Sequence, residues 1–398
     1  MYIYNFIQRI CDAWLQETIR ILKDKGAILF CVILPLAYPI IYSWIYNNEV
    51  VREVPIAIVD NSHSAMSREF TQKMDASPDV SVALYCSSIN EAKDAVGHGQ
   101  IYGFLYFPED FAIKTGRLEQ THVSVYCDMS YMLTYKAIFQ TATAVSMMMG
   151  SEIQAKLQGH YTSREAEISA RPLDYEEVPI FNTTGGYGNF IIPCVLVLII
   201  QQAMMLAVGL VSGSDREKGF PSLRGNYVVS KLIGKTIAYM LIFGLMFTYV
   251  TLAVPHFFGF VSLVHGKDLL LLAIPYLLAC TFFAQTLIDL VRYRENVILL
   301  VVFTSIPFLF LSGMSWPESN VPGFWQGVSD LIPSTFAIRG FVRMSSMGAR
   351  IGDIAPEIRA LWIHVIVYGI LACLVIYRRY EVREAGYKKE LREKENDL

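Results

Sequence analysis

Residues 190–211 read FIIPCVLVLIIQQAMMLAVGLV and contain no charged side chain. A helix needs about 20 predominantly apolar residues to cross the hydrocarbon core of a membrane, so this stretch predicts a transmembrane helix. An irregular loop could not cross there, because its backbone N–H and C=O groups would find no water to bind. Five further stretches with almost no charge predict five further spans. They are residues 27–46, 236–258, 269–288, 297–314 and 361–377.

The overall composition agrees with this interpretation. Of the 398 residues, 54% are hydrophobic and 17% are charged, and the mean hydropathy is +0.38. An ordinary soluble domain carries about 25% charged residues, so a soluble globular class is excluded. The sequence predicts an α-helical polytopic membrane protein with six transmembrane helices.

Basic residues mark one end of each predicted span. Short loops rich in Lys and Arg stay in the cytoplasm, so these ends and both termini are predicted to be cytoplasmic. Residues 47–187 then lie outside, and their 10 Lys+Arg against 18 Asp+Glu agree with that side. The flanking basic residues are Arg20, Lys23, Lys25, Arg216, Lys218, Arg224, Lys231, Arg292, Arg294, Arg378 and Arg379.

The first 25 residues carry apolar side chains at helical spacing among charges, including Phe6, Ile10 and Trp14. This pattern is typical of an amphipathic helix in the membrane interface, and a simple cytoplasmic extension of the first span is the alternative. The first span, residues 26–46, is too long for a signal peptide and has no small-residue cleavage site at its outer end. It is predicted to be retained.

The external segment, residues 47–187, alternates short β-branched runs with helical patterns. VPIAIVD (54–60), DVSVALYC (79–86), IYGFLYFP (101–108) and THVSVYC (121–127) are predicted strands, and residues 64–75 and 88–99 are predicted helices. A long helix is predicted from Tyr131 to about His160. This order predicts an inserted α/β domain with helices packed on a mixed sheet.

Two cysteines of this domain, Cys86 and Cys127, each end a predicted strand in an oxidising compartment. A disulfide between them is one option and two free thiols are the other, because the sequence does not give the geometry of the pair.

Few residues suggest chemistry. LIGKT (232–236) is similar to the end of a phosphate-binding loop, but Val229 stands where that loop needs its first glycine. The seven histidines have no metal-site spacing. The polar residues deep in the spans, Gln201, Gln202 and Gln285, do not titrate, so an ion-driven mechanism has little support. We expect no enzyme, no bound metal or cofactor, and no nucleic-acid partner.

Several segments in this order resemble the membrane subunit of ABC-2 type exporters, in particular bacterial permeases with a large external domain after the first helix. AIVDNSHSAMSREFTQKMDASPDVSV (57–82), EAKDAVGHGQIYGFLYFPEDF (91–111) and VYCDMS (125–130) are similar to that external domain. REKG (216–219) with KLIGK (231–235) is similar to the cytoplasmic loop. LSGMSWPESNVPGFWQGVSDLIPSTFAIRGFVR (311–343) is similar to the segment after the fifth span.

The resemblance implies a separate ATPase subunit that uses ATP and Mg²⁺, since these permeases have no ATPase of their own. The cytoplasmic loop then contacts that ATPase, although a solvated loop that only anchors the chain is the alternative. A second copy of the chain, or a paralogous permease, completes the transport path. The loop residues are Arg216, Glu217, Lys218, Gly219, Phe220 and Pro221.

The resemblance also implies a five-helix membrane domain at residues 188–378, followed by a cytoplasmic tail at residues 379–398. Residues 311–343 are predicted to re-enter the outer leaflet as short helices. Arg339 and Arg343 there are expected to anchor the segment at the interface or to contact lipid headgroups. The residues that define this re-entrant segment are Gly313, Trp316, Pro317, Pro322, Pro333 and Arg339.

The predicted location is the bacterial inner membrane, with the large domain in the periplasm. Spans with few charges favour hydrophobic or amphipathic cargo, such as drug-like or lipid-like molecules. A periplasmic adaptor protein is a further expected partner. The alternative is a membrane-anchored scaffold or secretion accessory whose external domain binds a partner and whose spans only hold it. The sequence does not decide between homodimer and heterodimer.

Overall fold

The computed structural model describes residues 2–117, 119–158, 180–182, 185–217, 228–288, 291, 293–314 and 316–396. The chain divides into two compact units. Residues Met1–Glu49 and Ile180–Leu398 form the first, here called the membrane unit, and Val50–Pro179 forms the second, here called the α/β unit.

The elements are numbered in chain order through both units. They are α1 (Tyr2–Lys23), α2 (Lys25–Ile45), β1 (Val54–Asp60), α3 (Ala65–Asp75), β2 (Val80–Tyr85), α4 (Ile89–Gly97), β3 (Gly103–Phe107), α5 (Phe111–Gly116), β4 (Ser124–Cys127), α6 (Met132–Gln158), α7 (Tyr187–Glu217), α8 (Val228–Phe258), α9 (Gly266–Ile288), α10 (Arg294–Leu311), α11 (Gly323–Ser329), α12 (Pro333–Met347) and α13 (Ala355–Asn396).

Six of these helices are long and apolar enough to cross a membrane, which confirms the six predicted spans. The helices extend beyond the charge-free windows in the sequence. The sixth, for example, begins at Ala355 rather than at residue 361. The backbone hydrogen bonds of these helices continue into the polar interface, where long side chains keep their charges in water. Hydropathy alone therefore does not locate the helix ends well. The spans in order are α2, α7, α8, α9, α10 and the first part of α13.

The second span, α7, forms the centre of the membrane unit. In its most apolar stretch 94% of the residues are buried, against 11% in the fifth span and 22% in the first and sixth. Most of the apolar side chains of α7 therefore contact other helices of the same chain. The apolar faces of α2, α10 and α13 are left for lipid or for another protein.

The α/β unit has a four-stranded sheet in the order β2-β1-β3-β4. Strand β1 runs parallel to β2 and β3, and β4 is antiparallel to β3, which confirms the predicted mixed sheet. Alternate residues of β1 point to opposite faces. Ile56 and Ile58 pack with residues of α3 and α6, whereas Ala57 and Val59 pack with residues of α4.

This strand order excludes the disulfide between Cys86 and Cys127. Both thiols are free, and the cysteines follow or end the two strands at opposite edges of the sheet. Three strand spacings of about 4.8 Å separate the edges, whereas a disulfide needs Cα atoms within about 7 Å. The two side chains also pack on opposite faces, Cys86 on the α4 side and Cys127 on the α3 and α6 side. The option of two free thiols is therefore correct.

The chain leaves and re-enters the membrane unit at one closely packed joint. The backbone N–H of Tyr187 donates to the carbonyl of Glu49 at 2.9 Å, and the side-chain amide of Asn189 donates to the Glu49 carboxylate at 2.6 Å. A side chain at Gly186 would overlap the Glu49 carboxylate, and one at Gly188 would lie 2.9 Å from the Tyr46 carbonyl. These glycines therefore permit the two chain segments to pack closely.

Candidate functional site

One end of the membrane unit collects the polar residues with the most specific contacts. We call it the basic end and define it by the start of α2, α8 and α10 and the end of α7. The amphipathic helix α1 lies here with two distinct sides. Glu17 and Ile21 are buried, with 1% of each exposed, whereas Ile7, Leu15 and Leu22 are exposed. One side of α1 thus packs on the protein and leaves an apolar side open.

Helix α1 packs directly on the first turns of α8 at Gly234. A methyl group at position 234 would lie 2.6 Å from the Ala13 Cβ and 2.8 Å from both the Ile10 carbonyl oxygen and the Trp14 backbone nitrogen. Only glycine permits this approach, because two of the three neighbouring atoms belong to the backbone of α1. The LIGKT stretch that is similar to a phosphate-binding loop therefore forms a helix contact.

One turn of α8 beside this contact carries a buried ion pair. Lys235 Nζ lies 3.1 Å from a Glu17 carboxylate oxygen, and the Tyr239 hydroxyl donates to the same oxygen at 3.3 Å. Arg20 lies 3.6 Å from the second oxygen. The Glu17 side chain is 1% exposed and that of Lys235 is 13% exposed, so each charge needs its partner. The pair fixes the rotation of α1 against the third span.

A second ion pair joins the first and fifth spans at the same end. Asp24 caps α2 by accepting hydrogen bonds from the backbone N–H groups of Gly26 and Ala27 at 2.9 and 3.1 Å. Its Oδ1 also accepts a 2.8 Å bond from Arg294 Nη2 at the start of α10. A methyl group at Gly26 would lie 2.7 Å from that guanidinium nitrogen, so glycine makes room for the pair.

The Asp24 carboxylate makes the stability of this end depend on pH. Burial raises the pKa of Asp24, but the bonds from Ala27 and Arg294 outweigh it, and the pKa lies below its ordinary value of 3.8. A group with a lowered folded pKa stabilises the fold above its unfolded pKa, and this stability is lost as the pH falls through the folded pKa. The Asp24 contribution is therefore full at neutral pH, begins to fall near pH 4 and is lost as the pH drops through the lowered pKa of the folded state.

We expect Asp24→Asn to lower the free energy of unfolding by about 1 kcal/mol at pH 7, because the partly exposed pair is screened by solvent. The difference from the unmodified protein should shrink as the pH falls from 4 to 3. Thermal unfolding midpoints of the purified protein across this range measure it. Asp12→Asn, at an exposed carboxylate of α1, is the matched control and should give no such convergence. A constant difference at all pH values would contradict the assignment.

The second span contacts the fifth through a pair of glycines four residues apart. A methyl group at Gly213 would lie 3.1 Å from the Cα of Arg294, and one at Gly209 would overlap the Val297 side chain. Small residues at this spacing let helices in membranes pack closely. Gly213 stands four residues before the end of α7, so the loop that follows α7 begins next to α10.

The predicted loop residues lie directly after this contact. The backbones of Arg216 and Glu217 form the last turn of α7. Lys218, Gly219, Phe220 and Pro221 lie outside the described residues, so their predicted role stays a prediction. The structure does describe the helices on either side of these residues. The loop connects a helix held against the fifth span with a helix held against α1.

At the opposite end of the membrane unit, Arg339 of α12 organises the turn that follows the fifth span. Its guanidinium lies 2.9 Å from the Glu318 carboxylate and 3.4 Å from the Ser312 carbonyl oxygen. Gly313 has a positive φ of 83° and packs against the same guanidinium. Arg343 pairs with Glu357 at 2.8 Å. Both arginines thus have carboxylate partners within the protein, whereas the sequence suggested interfacial anchoring or lipid headgroups.

The other predicted residues of this segment shape its short helices. Pro317 precedes the single turn Glu318–Asn320, Pro322 precedes α11, and Pro333 is the first residue of α12. Proline suits such positions because its fixed φ fits a helix start and its missing N–H leaves no bond unmade. The Trp316 indole donates to the Asn320 carbonyl at 3.4 Å.

The start of α12 reaches the centre of the second span. The Ser334 backbone N–H donates to the Gln201 side-chain oxygen at 2.8 Å, and both side chains are fully buried. Gln201 is the fifteenth residue of α7, about 21 Å along the helix from Tyr187 at 1.5 Å per residue. A glutamine of one span therefore caps a helix from another part of the chain, which sequence patterns alone did not indicate.

Six apolar spans, the second of which is buried among the others, with a mixed α/β unit inserted after the first, define a polytopic membrane protein. The family model described as "ABC-2 family transporter protein" matches residues 25–374, and the chain belongs to that family. It is an ABC-2 type permease, a class that is typically non-catalytic and generally pairs with ABC ATPases. No curated protein matches the chain significantly.

Proposed function

We propose that this chain is the permease subunit of an ATP-driven exporter that moves hydrophobic or amphipathic small molecules out of the cytoplasm or the inner leaflet. A separate ATPase subunit would bind ATP and Mg²⁺ and supply the energy. The observation that carries the proposal is the set of contacts at the basic end. They join the helices on both sides of the predicted ATPase loop to three further helices.

These contacts give a physical route for force. Movement of residues 214–227 would displace the end of α7 and the start of α8. The contact at Gly213 would transmit this displacement to α10, and the ion pair between Arg294 and Asp24 would transmit it to the first span. Gly234 and Lys235 pass it to α1. A loop that served only as a solvated anchor would not need close helix contacts on both sides.

The proposed orientation places the basic end in the cytoplasm and the α/β unit in the periplasm of a bacterial inner membrane. The distribution of Lys and Arg along the chain supports it, since positive residues collect at that end of the spans. An ATPase in the cytoplasm could then reach the loop. The α/β unit would be placed to meet a periplasmic adaptor protein.

Two copies of the permease, or this chain and a paralogous permease, would enclose the path with twelve spans. The first and fifth spans support this part of the proposal, because they expose apolar side chains such as Ile41, Leu299 and Phe303 along most of their length. Lipid or a second permease could cover those side chains. A path between two copies would be lined mostly by apolar groups, which favours hydrophobic and amphipathic cargo.

The test is affinity purification of C-terminally tagged protein from its native membrane in mild detergent, with mass spectrometry of the proteins that accompany it. We expect an ABC-type ATPase to co-purify and to be lost when Glu217 and Lys218 are both changed to alanine. The matched control is Lys267→Ala with Asp268→Ala, another adjacent pair of opposite charges, at the start of α9 near the opposite end. It should retain the ATPase.

Absence of any ATPase while the permease stays paired would remove the energy source and favour the scaffold alternative. Loss of the ATPase in both double variants would indicate a general loss of folding instead of a local contact. The thermal unfolding midpoints of both variants, measured on the same preparations, separate these two outcomes.

A further inference from the structure

The turn between α11 and α12 carries a carboxylate that interacts electrostatically with the imidazole of His364 and has no ion pair with a described Lys or Arg. Asp330 is exposed, and its side chain has no hydrogen bond or ion pair with any residue that the structure describes. Three other acidic residues in this part of the membrane unit are paired with arginines. Glu318 contacts Arg339, Glu357 contacts Arg343, and Asp268 lies 3.8 Å from Arg350. Asp330 is therefore distinct among them.

This turn lies beside the interior of the spans. The Asp330 carbonyl accepts a 2.8 Å bond from His364 Nε2, and the Leu331 carbonyl accepts a 2.6 Å bond from the Tyr368 hydroxyl. His364 stands nine residues after Ala355 at the start of α13, a helix rise of about 13 Å. Ser334, just beyond the turn, reaches Gln201 in the middle of α7. These contacts support a re-entrant segment whose turn lies within the outer half of the membrane.

A carboxylate at that depth is unfavourable against lipid tails. Acidic residues inside membranes therefore face water, a partner group or the pathway of a transported molecule. Contact with water alone does not explain why the surface next to Asp330 is strongly apolar.

The surface next to Asp330 exposes large apolar side chains, which suit contact with a bulky apolar ligand. Phe324 and Gly327 stand three residues apart in α11 and so share one side of the helix, and Leu331 follows in the turn after the helix ends at Ser329. Phe324 is 75% exposed and Leu331 is 60% exposed. A methyl group at Gly327 would meet no atom within 4 Å, so the space beside this glycine is open. Aromatic faces and carboxylates together attract organic cations.

We propose that Asp330 and this face of α11 form a binding site for lipophilic organic cations. The inference rests on the proposed export function, for which it names the cargo class. The Asp330 carboxylate would compensate the positive charge, Phe324 and Leu331 would contact the apolar groups around it, and Gly327 would leave them room. Neutral and anionic amphiphiles of the same size would lack the charge interaction and bind more weakly.

The test compares two ions of nearly the same shape, tetraphenylphosphonium and tetraphenylborate. Binding of each to the purified full-length permease in nanodiscs of neutral lipid is measured by equilibrium dialysis. We expect saturable binding of the cation that weakens about tenfold in Asp330→Asn, since a charge-assisted contact is lost. Weak binding of the anion should not fall. Asp330→Glu should retain most of the cation affinity, and Gly327→Leu should reduce it by filling the open space.

Asp353→Asn is the matched control, because it removes the same charge from an exposed loop at the same end, where Asp353 accepts a bond from the Arg350 backbone. It should bind the cation like the unmodified protein. Equal loss in both Asn variants would show a general surface-charge effect and overturn the proposal. Unchanged cation binding in Asp330→Asn together with loss of the dimer would also overturn the proposal. Asp330 would then be the partner of a basic residue in a second copy of the chain.

The dialysis needs no ATPase, so it separates the two proposals. Cation binding that depends on Asp330, without any ATPase partner, would keep the site and remove the exporter. An ATPase partner with cation binding that ignores Asp330 would keep the exporter and remove the site.

Discussion

Replacing Gly234 by alanine will destabilise the protein, although alanine is the better helix former. The added methyl group meets the Ile10 carbonyl oxygen and the Trp14 backbone nitrogen at 2.8 Å, and backbone atoms of a helix cannot move aside singly. Helix α1 must therefore shift away from α8. Overpacking of this kind costs about 1–3 kcal/mol, and leucine at this position should cost more.

The same helix offers a matched control. A methyl group at Gly244 has its nearest neighbour, Leu277 Cδ1, 4.0 Å away, which is an ordinary contact. Gly244→Ala should therefore raise the free energy of unfolding by about 0.5–1 kcal/mol through helix propensity. Thermal midpoints of the two purified variants test the opposite signs. Trypsin cleavage at Lys23 adds a local measure, because a displaced α1 should be cut faster in Gly234→Ala alone. Equal shifts in both variants would contradict the close contact.

Lys235→Met should have a still larger effect, because it leaves the Glu17 carboxylate buried without its closest partner. Removing one member of a buried ion pair costs about 3–5 kcal/mol. Arg20, at 3.6 Å from Glu17, will compensate only in part. The combined change of Glu17→Leu and Lys235→Met removes both charges and should recover most of the loss, since an apolar pair of similar size is tolerated.

Thermal midpoints of the two single variants and the double variant complete this cycle. Lys267→Met, at an exposed lysine of α9, is the control for loss of one positive charge and should change stability little. If the two single losses simply add in the double variant, Glu17 and Lys235 do not interact, and the assignment of the pair is wrong. Restored stability with lost ATP-dependent transport in the double variant would show that the pair transmits motion as well as holding α1.

The sequence predicted the six spans and the mixed sheet because both depend on local patterns. Charge-free stretches of about 20 residues have few alternative structures in a membrane, and β-branched runs between helical patterns indicate strands. The family was also predictable from the order of quoted segments, and the match over residues 25–374 confirms it.

Long-range pairing was not predictable in the same way. Cys86 and Cys127 end similar strands in the sequence, and only the crossover that places β1 and β3 between them separates the two thiols. The role of Gly234 was hidden for a related reason. A glycine before a lysine fits a phosphate-binding loop, a turn or a close helix contact equally well, and only the position of α1 decides among them.

For the segment around Asp330, the sequence predicted the short helices correctly but did not predict which charges are paired. Its surroundings, with three prolines and two tryptophans in residues 311–343, indicated short interfacial helices. The sequence pattern does not show how close the turn comes to Gln201. It also does not show that Arg339 pairs with Glu318 and Arg343 with Glu357. The missing information was the pairing of each charge, which depends on the folded chain.

The joint at Glu49 and Tyr187 bears on how such a chain evolves. Because the Glu49 carbonyl and the Tyr187 amide are hydrogen bonded at 2.9 Å, the membrane unit closes on itself across the insertion. A gene that lost the codons for residues 50–179 would still encode neighbouring ends, which a short turn could connect. Recombination could thus exchange the inserted module among related permeases while the helices kept their ancestral arrangement.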